Sequence, residues 1–324
     1  MPKLTHYITG RGIQIALGLL WLLDAGLQFQ PQMFTGNFAN NVIAPSGQGQ
    51  PGIISGPINF EVHTLLLHPA LFNAFFAAAQ LLIAVLILWK RTAFHGLVAS
   101  VVWGLSVWFW GEGLGRLLAP QPSLLMGAPG AALLYAIIAL AVLSPKTKPA
   151  KHLLKLRPAA WLPLVWTLLW LGGAALQLTK GENTTGALSS MIASMASGAP
   201  HWIGALDRFT ANLIQGSGSW VIILLALTQA LIGLLALVPG RLRLIAVAVG
   251  TILSLIFWGV GQSFGGFYTG LATDPNTAPL LILLGVAILG ISAQDSASFV
   301  AGLKRWWLTS AQANPDHQPL NRSH

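Results

Sequence analysis

Eight stretches of the chain are apolar over about 20 residues, the length a membrane-crossing helix needs. They lie near 12–29, 69–89, 94–112, 128–144, 158–177, 218–238, 242–261 and 278–294. Short basic turns or longer charge-poor segments separate them. The pattern predicts an all-α, polytopic membrane protein with eight transmembrane helices. Lys3 and Arg11 precede the first run, as in a signal peptide. Asp24 interrupts that run, and no small-x-small cleavage site follows it, so it reads as a retained first helix.

The basic residues are concentrated on one side of such a bundle. Of 17 Lys and Arg, 14 fall in the N-terminus, the turns at Lys90–Arg91 and Arg241–Arg243, the linker from Lys146 to Arg157, and the C-terminal segment. Arg116, Lys180 and Arg208 fall on the other side. The positive-inside rule places both termini in the cytoplasm and the protein, multi-pass, in the inner (plasma) membrane. The segments 30–68, 113–127, 178–217 and 262–277 then face outward, toward the periplasm in a Gram-negative cell. The long outer segments 30–68 and 178–217 read either as caps over the bundle or as lids over a site. The stretch Phe299–Trp307 reads as a short interfacial helix.

The chain also repeats itself. Leu20-Trp21-Leu22 and Leu27-Gln28 recur as Leu169-Trp170-Leu171 and Leu176-Gln177. Trp108 recurs as Trp258, and Gly111-Glu112-Gly113-Leu114-Gly115 as Gly261-Gln262-Ser263-Phe264-Gly265. Ala128-Pro129 returns as Ala278-Pro279. Four helices per copy return the chain to its starting side, so the copies run parallel, related by an axis along the membrane normal. The expected organisation is a first four-helix repeat over 1–147, a basic cytoplasmic linker over 148–157, a second repeat over 158–308 and a disordered tail over 309–324. The copies differ in chemistry. Asp24 aligns with Gly173 and Glu112 with Gln262, so proton-dependent chemistry is expected in the first repeat, with the second as a scaffold.

Composition agrees with the membrane reading. Charged residues make up 8% of the 324, against roughly a quarter in a soluble domain, and mean hydropathy is +0.68. The net charge of +9 is explained by orientation and gives no reason to invoke nucleic acid. The absence of cysteine excludes disulfides, thiolate metal sites and covalent haem attachment through CxxCH. No Walker loop, dinucleotide fingerprint, HExxH or serine elbow is present, and no metal site is expected.

The candidate site residues are Asp24, Glu112, Arg116 and His68. A carboxylate such as Asp24 inside a span must face a cavity, find a partner or hold a proton. Glu112 and Arg116 are four apart and could pair along one helix face, although the glycines around them argue against a long regular helix. Arg116 could bind an anion or a quinone carbonyl. His68 could accept a proton at the outer surface. Glu61 and His63 lie beside it. Asp274-Pro275-Asn276 reads as a turn that leads into the last helix.

Each half resembles the DoxX/DoxD-like integral membrane proteins. The resemblance rests on Arg11-Gly12-Ile13 leading to Leu19-Leu20-Trp21 and Ala25-Gly26-Leu27, and on Leu164-Val165-Trp166 leading to Gly172-Gly173-Ala174. It implies a four-helix unit and, for some members, work with the quinone pool as subunits of a thiosulfate:quinone oxidoreductase. Three functions follow as expectations. One is a non-catalytic membrane scaffold or assembly subunit, which predicts no cavity. Another is a quinone-linked membrane redox subunit, which predicts an apolar slot open to lipid and ending at the carboxylates. The third is a small-solute or ion transporter, which predicts a path across the whole membrane. No cofactor is evident, and a quinone is the group the second function implies. The expected partners are the lipid bilayer and a membrane or periplasmic redox protein.

Overall fold

The computed structural model describes residues 10–143, 161–179 and 183–290. The linker 148–157, the stretch Phe299–Trp307 and the tail 309–324 lie outside the described residues. Helix is the regular secondary structure found among those described. The main helices in the N-terminal half are α1 (Gly10–Leu27), α2 (Gly52–Leu67), α3 (Pro69–Leu88), α4 (Ala93–Trp110) and α5 (Ala131–Leu143). The C-terminal half supplies α6 (Leu162–Gln177), α7 (Thr185–Met195), α8 (His201–Gly216), α9 (Trp220–Leu235), α10 (Arg241–Val260) and α11 (Thr277–Gly290).

A helix lies along most of the described part of each of the eight apolar runs. Among them α3, α4 and α10 are long and apolar enough to cross a membrane, and α8 with α9 forms a fourth segment bent by 109°. Only 33%, 28% and 39% of the apolar windows of α3, α4 and α10 are buried inside the protein. The exposed remainder carries Leu82, Val102 and Ile252, a surface that calls for an apolar surrounding.

Polar side chains bind the helices together by reaching backbone carbonyls. Arg11 Nη2 donates to Leu88 O at 2.7 Å and Gln14 Nε2 to Ile87 O at 2.6 Å, which pins the start of α1 to the end of α3. Thr167 Oγ1 on α6 donates to Gly233 O on α9 at 2.7 Å. At Gly104 the helices α4 and α5 approach so closely that a Cβ would lie 2.7 Å from Ala132 O. One continuous core runs through both halves, with Leu134 and Ile138 of α5, Trp166 and Trp170 of α6, and Leu281 and Leu284 of α11.

The outer segment before α2 is folded. Short helical turns from Pro31 to Gly47, with a π turn at Ala39–Ile43, lie against α2. Met33, Phe38, Ile43, Ile54 and Ile58 form a second, smaller core, packed on Phe72 and Phe76 of α3 and Phe109 of α4. In the C-terminal half, Thr184 caps α7 by accepting from Ala187 N at 3.1 Å.

Each half lends a loop to the other. Leu124 inserts beside Gly173 of α6, where a Cβ would lie 2.6 Å from its side chain, and Gln262 Nε2 donates to Leu125 O at 3.3 Å. In return Gln30 Nε2 donates to Ala272 O at 3.0 Å. The segment after Ala272 thereby reaches the N-terminal half.

Candidate functional site

A cavity of about 690 Å³ opens in the N-terminal half between α1, α3, α4, α5 and the folded segment containing α2. Its size lies within the range of small-molecule sites. Aromatic rings make one part of its wall, among them Phe72, Phe76, Trp103 and Trp110. The other part carries Asp24, Glu61, Glu112, Tyr135 and Asp274.

Each polar residue is held there by local structure. Asp24 sits in the last turn of α1 and is 2% exposed, with Oδ1 unpartnered. One turn earlier, Trp21 donates to Ser100 Oγ at 2.8 Å and lies against the Tyr135 ring, with centroids 4.4 Å apart. Tyr135 interacts electrostatically with Asp24, Glu112 and Asp274, so these four groups form one cluster.

Glu112 follows the end of α4 by two residues. Its Oε1 accepts from Ala132 N at 3.0 Å and so caps the first turn of α5, whose N–H groups lack intrahelical partners. Its Oε2 has no partner. Beside it, Trp108 Nε1 donates to Pro129 O at 2.7 Å. Burial, helped by the charge of Asp274, pushes the Glu112 carboxyl up to about 8, against the opposing hydrogen bonds from the backbone of Ala132 and Ala131. Burial also raises Glu61 to about 7. Asp274 is raised by burial, while hydrogen bonds from Thr273 and Asn276 work in the other direction.

The expected pairing of Glu112 with Arg116 does not form, for a backbone reason. Gly113, Leu114, Gly115 and Arg116 all have φ between 54° and 61°, which makes one left-handed turn instead of a continued α-helix. A left-handed turn costs roughly 1–2 kcal/mol at each non-glycine residue. It sends the Arg116 guanidinium to Pro45 O, and Gln50 Nε2 latches the same turn by donating to Gly113 O at 2.8 Å. The turn therefore anchors the folded segment 31–67 over the cavity. Phe38, Ser46, Glu61 and Leu65 of that segment line the wall, so the segment closes one side of the cavity.

The structure brings together Asp24, Glu112 and Arg116 in one wall. His68 lies elsewhere, exposed at the corner between α2 and α3 with φ −146° and ψ 67°. His63 is also exposed. Two wall residues escaped sequence reasoning. Tyr135 is one of three tyrosines and lies in an apolar run, so nothing nearby marks it. Asp274 does form the expected turn, accepting from Asn276 N and from Thr273 Oγ1, each at 2.7 Å. It also lines the cavity from the C-terminal half, so the wall draws residues from both halves.

At the corresponding place in the C-terminal half, Gln262 Oε1 accepts from Ala278 N at 3.1 Å and its Nε2 donates to Thr277 Oγ1 at 3.0 Å. Leu125 packs against the neighbouring Gly261, Leu124 against Gly173, and the Trp170 and Phe257 rings lie 6.4 Å apart.

Fold and site together define an all-helical protein with outward-facing apolar helices and a pocket that runs from aromatic rings to a carboxyl cluster. No family model, curated protein or solved structure matches the chain.

Proposed function

We propose that the chain is an eight-helix protein of the inner (plasma) membrane, built from two parallel DoxX-like repeats with both termini cytoplasmic, and that it works as a quinone-linked redox subunit. The pocket carries this reading. Phe60, Phe75 and Trp110 line it and are also exposed at the apolar surface, so a lipid-dissolved ring can enter sideways. The inner end offers Asp24, Glu112 and Tyr135 to a polar headgroup. Quinol oxidation there sends two electrons to a membrane or periplasmic partner and releases two protons, one of which Glu112 relays only after giving up the proton it already holds below about pH 8. A bare scaffold gives no reason to keep such a pocket. A path through the bundle draws no support from the wall, which omits Arg11, Gln14 and Arg243 at the opposite ends of their helices.

Support for the repeats comes from matched hydrogen bonds. Glu112 and Gln262 each hold the start of the following helix, through Ala132 N and Ala278 N. Trp108 and Trp258 each donate to a proline carbonyl, Pro129 and Pro275. This pairing matches Pro129 with Pro275, where sequence alone suggested Pro279. The left-handed turn at 113–116 has a counterpart at Ser263–Gly266, with φ from 46° to 75°.

The test is a tryptophan-fluorescence titration of the full chain in lipid nanodiscs with decylbenzoquinone. Saturable quenching is expected. Ser106 is exposed on α4 at the pocket, and its hydroxyl is satisfied by Val102 O within its own helix. Ser106→Trp is therefore expected to weaken binding by at least about tenfold at an unchanged melting temperature. Quenching that never saturates, and is the same in both proteins, would overturn the reading.

A further inference from the structure

The helices α2 and α8 begin in the same way. Each follows a left-handed glycine, one further residue and an extended proline. These are Gly49 (φ 71°) and Pro51 (φ −55°, ψ 149°) before α2, and Gly198 (φ 76°) and Pro200 (φ −51°, ψ 148°) before α8. Both helices run for 16 residues, and each leads into an apolar helix, α3 or α9.

Each also has three sides. One packs on the protein, through Ile54, Ile58 and Val62 of α2 and through Ile203, Asp207 and Ala211 of α8. The second is apolar and bare. Ile53, Phe60 and Leu67 on α2, and Trp202, Phe209 and Leu213 on α8, are between 59% and 77% exposed. At 3.6 residues per turn, each set spans only about 40° around its helix. The third side is polar and exposed, with Asn59 and His63 on α2 and His201, Arg208, Asn212 and Gln215 on α8. It lies about 80–110° around the helix from the apolar stripe.

A helix that meets protein, hydrocarbon and water on three different sides fits along the plane where water and lipid meet. The axis of α8 agrees, because it is bent by 109° from that of α9 and so runs across a span. Beyond the bend, α9 continues the bare apolar surface with Trp220, Ile223 and Leu227. Trp202 and Trp220 flank the bend, and tryptophan is enriched at the membrane–water interface. Resting on the membrane reading above, we infer that α2 and α8 lie in the outer leaflet, parallel to its surface, with their apolar stripes in lipid. Phe60 sits in the middle of the α2 stripe and also lines the pocket. The pocket mouth therefore opens into the leaflet and not into bulk water. Three side chains make a stripe too narrow for a second copy of the chain, since a stable interface buries roughly 1,200 Å² or more.

The chain has no cysteine, so single nitroxide labels test the placement. Ile53→Cys and Phe209→Cys put a label on each stripe, and Leu67→Cys and Leu213→Cys repeat the measurement. His63→Cys and Asn212→Cys label the polar sides, and Leu227→Cys on α9 is the lipid-facing reference. Each full-length variant is measured in phosphatidylethanolamine–phosphatidylglycerol nanodiscs by power-saturation electron paramagnetic resonance, with oxygen and a water-soluble nickel chelate as relaxants. The oxygen-to-nickel ratio on the stripes is expected to exceed that on the polar sides by at least about threefold, as for a helix sunk roughly 5–10 Å into the interface. Equal, water-like ratios on both sides of α2 and α8, with a lipid-like ratio at 227, overturn the inference and leave the membrane reading intact. A water-like ratio at 227 as well overturns both. Stripe labels shielded from both relaxants and broadened by a second label overturn it in favour of a contact between copies.

Discussion

Glu112 does two jobs that two substitutions can separate. Its Oε1 caps α5 through Ala132 N, and its carboxyl titrates at about 8 instead of 4.5 because of burial and the neighbouring Asp274. Glu112→Ala removes the cap. Loss of a neutral helix cap costs about 1 kcal/mol near neutral pH. Glu112→Gln keeps an acceptor at the same position, as Gln262 does for Ala278 N, and near neutral pH the change is expected to stay within about 0.5 kcal/mol. The pH dependence follows from linkage. The folded protein holds a proton on Glu112 between pH 4.5 and about 8 that the unfolded chain has released. Its contribution is complete below pH 4.5 and is lost as the pH rises through about 8. A displacement from 4.5 to about 8 sets a ceiling of about 5 kcal/mol, and partial exposure of Glu112 to the open cavity lowers it. Thermal unfolding of detergent-solubilised protein, followed by tryptophan fluorescence from pH 5 to pH 9, measures all three proteins. The glutamine variant should match the parent at pH 5 and exceed it at pH 9. Parallel curves over the whole range, or a glutamine variant as unstable as the alanine variant, would refute the reasoning.

Two further substitutions test the turn and the asymmetry. Gly115 has φ 61°, and a Cβ there would run into Pro129 O. Gly115→Ala should therefore cost more than about 2 kcal/mol, read as a lower melting temperature and poor yield, whereas Gly172→Ala, where nothing lies near, should leave both unchanged. Leu124 is 3% exposed in the core beside Gly173. Leu124→Ala should cost about 2–5 kcal/mol as a cavity mutation while leaving the affinity of the remaining folded protein for decylbenzoquinone within about twofold.

Hydrophobicity alone locates a helix in each of the eight apolar runs, because long apolar stretches satisfy their backbone groups internally. The glycines of 111–115 announced a break after α4 but not its left-handed form, which depends on the contacts at Ser46, Gln50 and Pro45. That form is why the four-residue spacing of Glu112 and Arg116 misled. Asp24 was legible because a carboxylate within an apolar run demands an explanation. Asp274 was hidden by its own success as a turn residue, since local hydrogen bonds account for both of its oxygens. Tyr135 was hidden because its partners Trp21 and Asp24 lie more than 100 positions away in the chain. The helices α2 and α8 carry few charges and lie in segments read only as caps or lids, so their fold became visible only when packed.

The central claim is that the pocket holds a lipid-borne quinone-type ring against Asp24 and Glu112. Photolabelling in native membranes with an azido-substituted decylbenzoquinone, followed by mapping of the labelled peptides, tests it most directly. Label is expected on the peptides carrying Phe72–Phe76, Trp103–Trp110 and Tyr135, and excess unlabelled decylbenzoquinone should compete it away. Label spread evenly over the exposed faces of α9 and α10, and insensitive to competitor, would contradict the account.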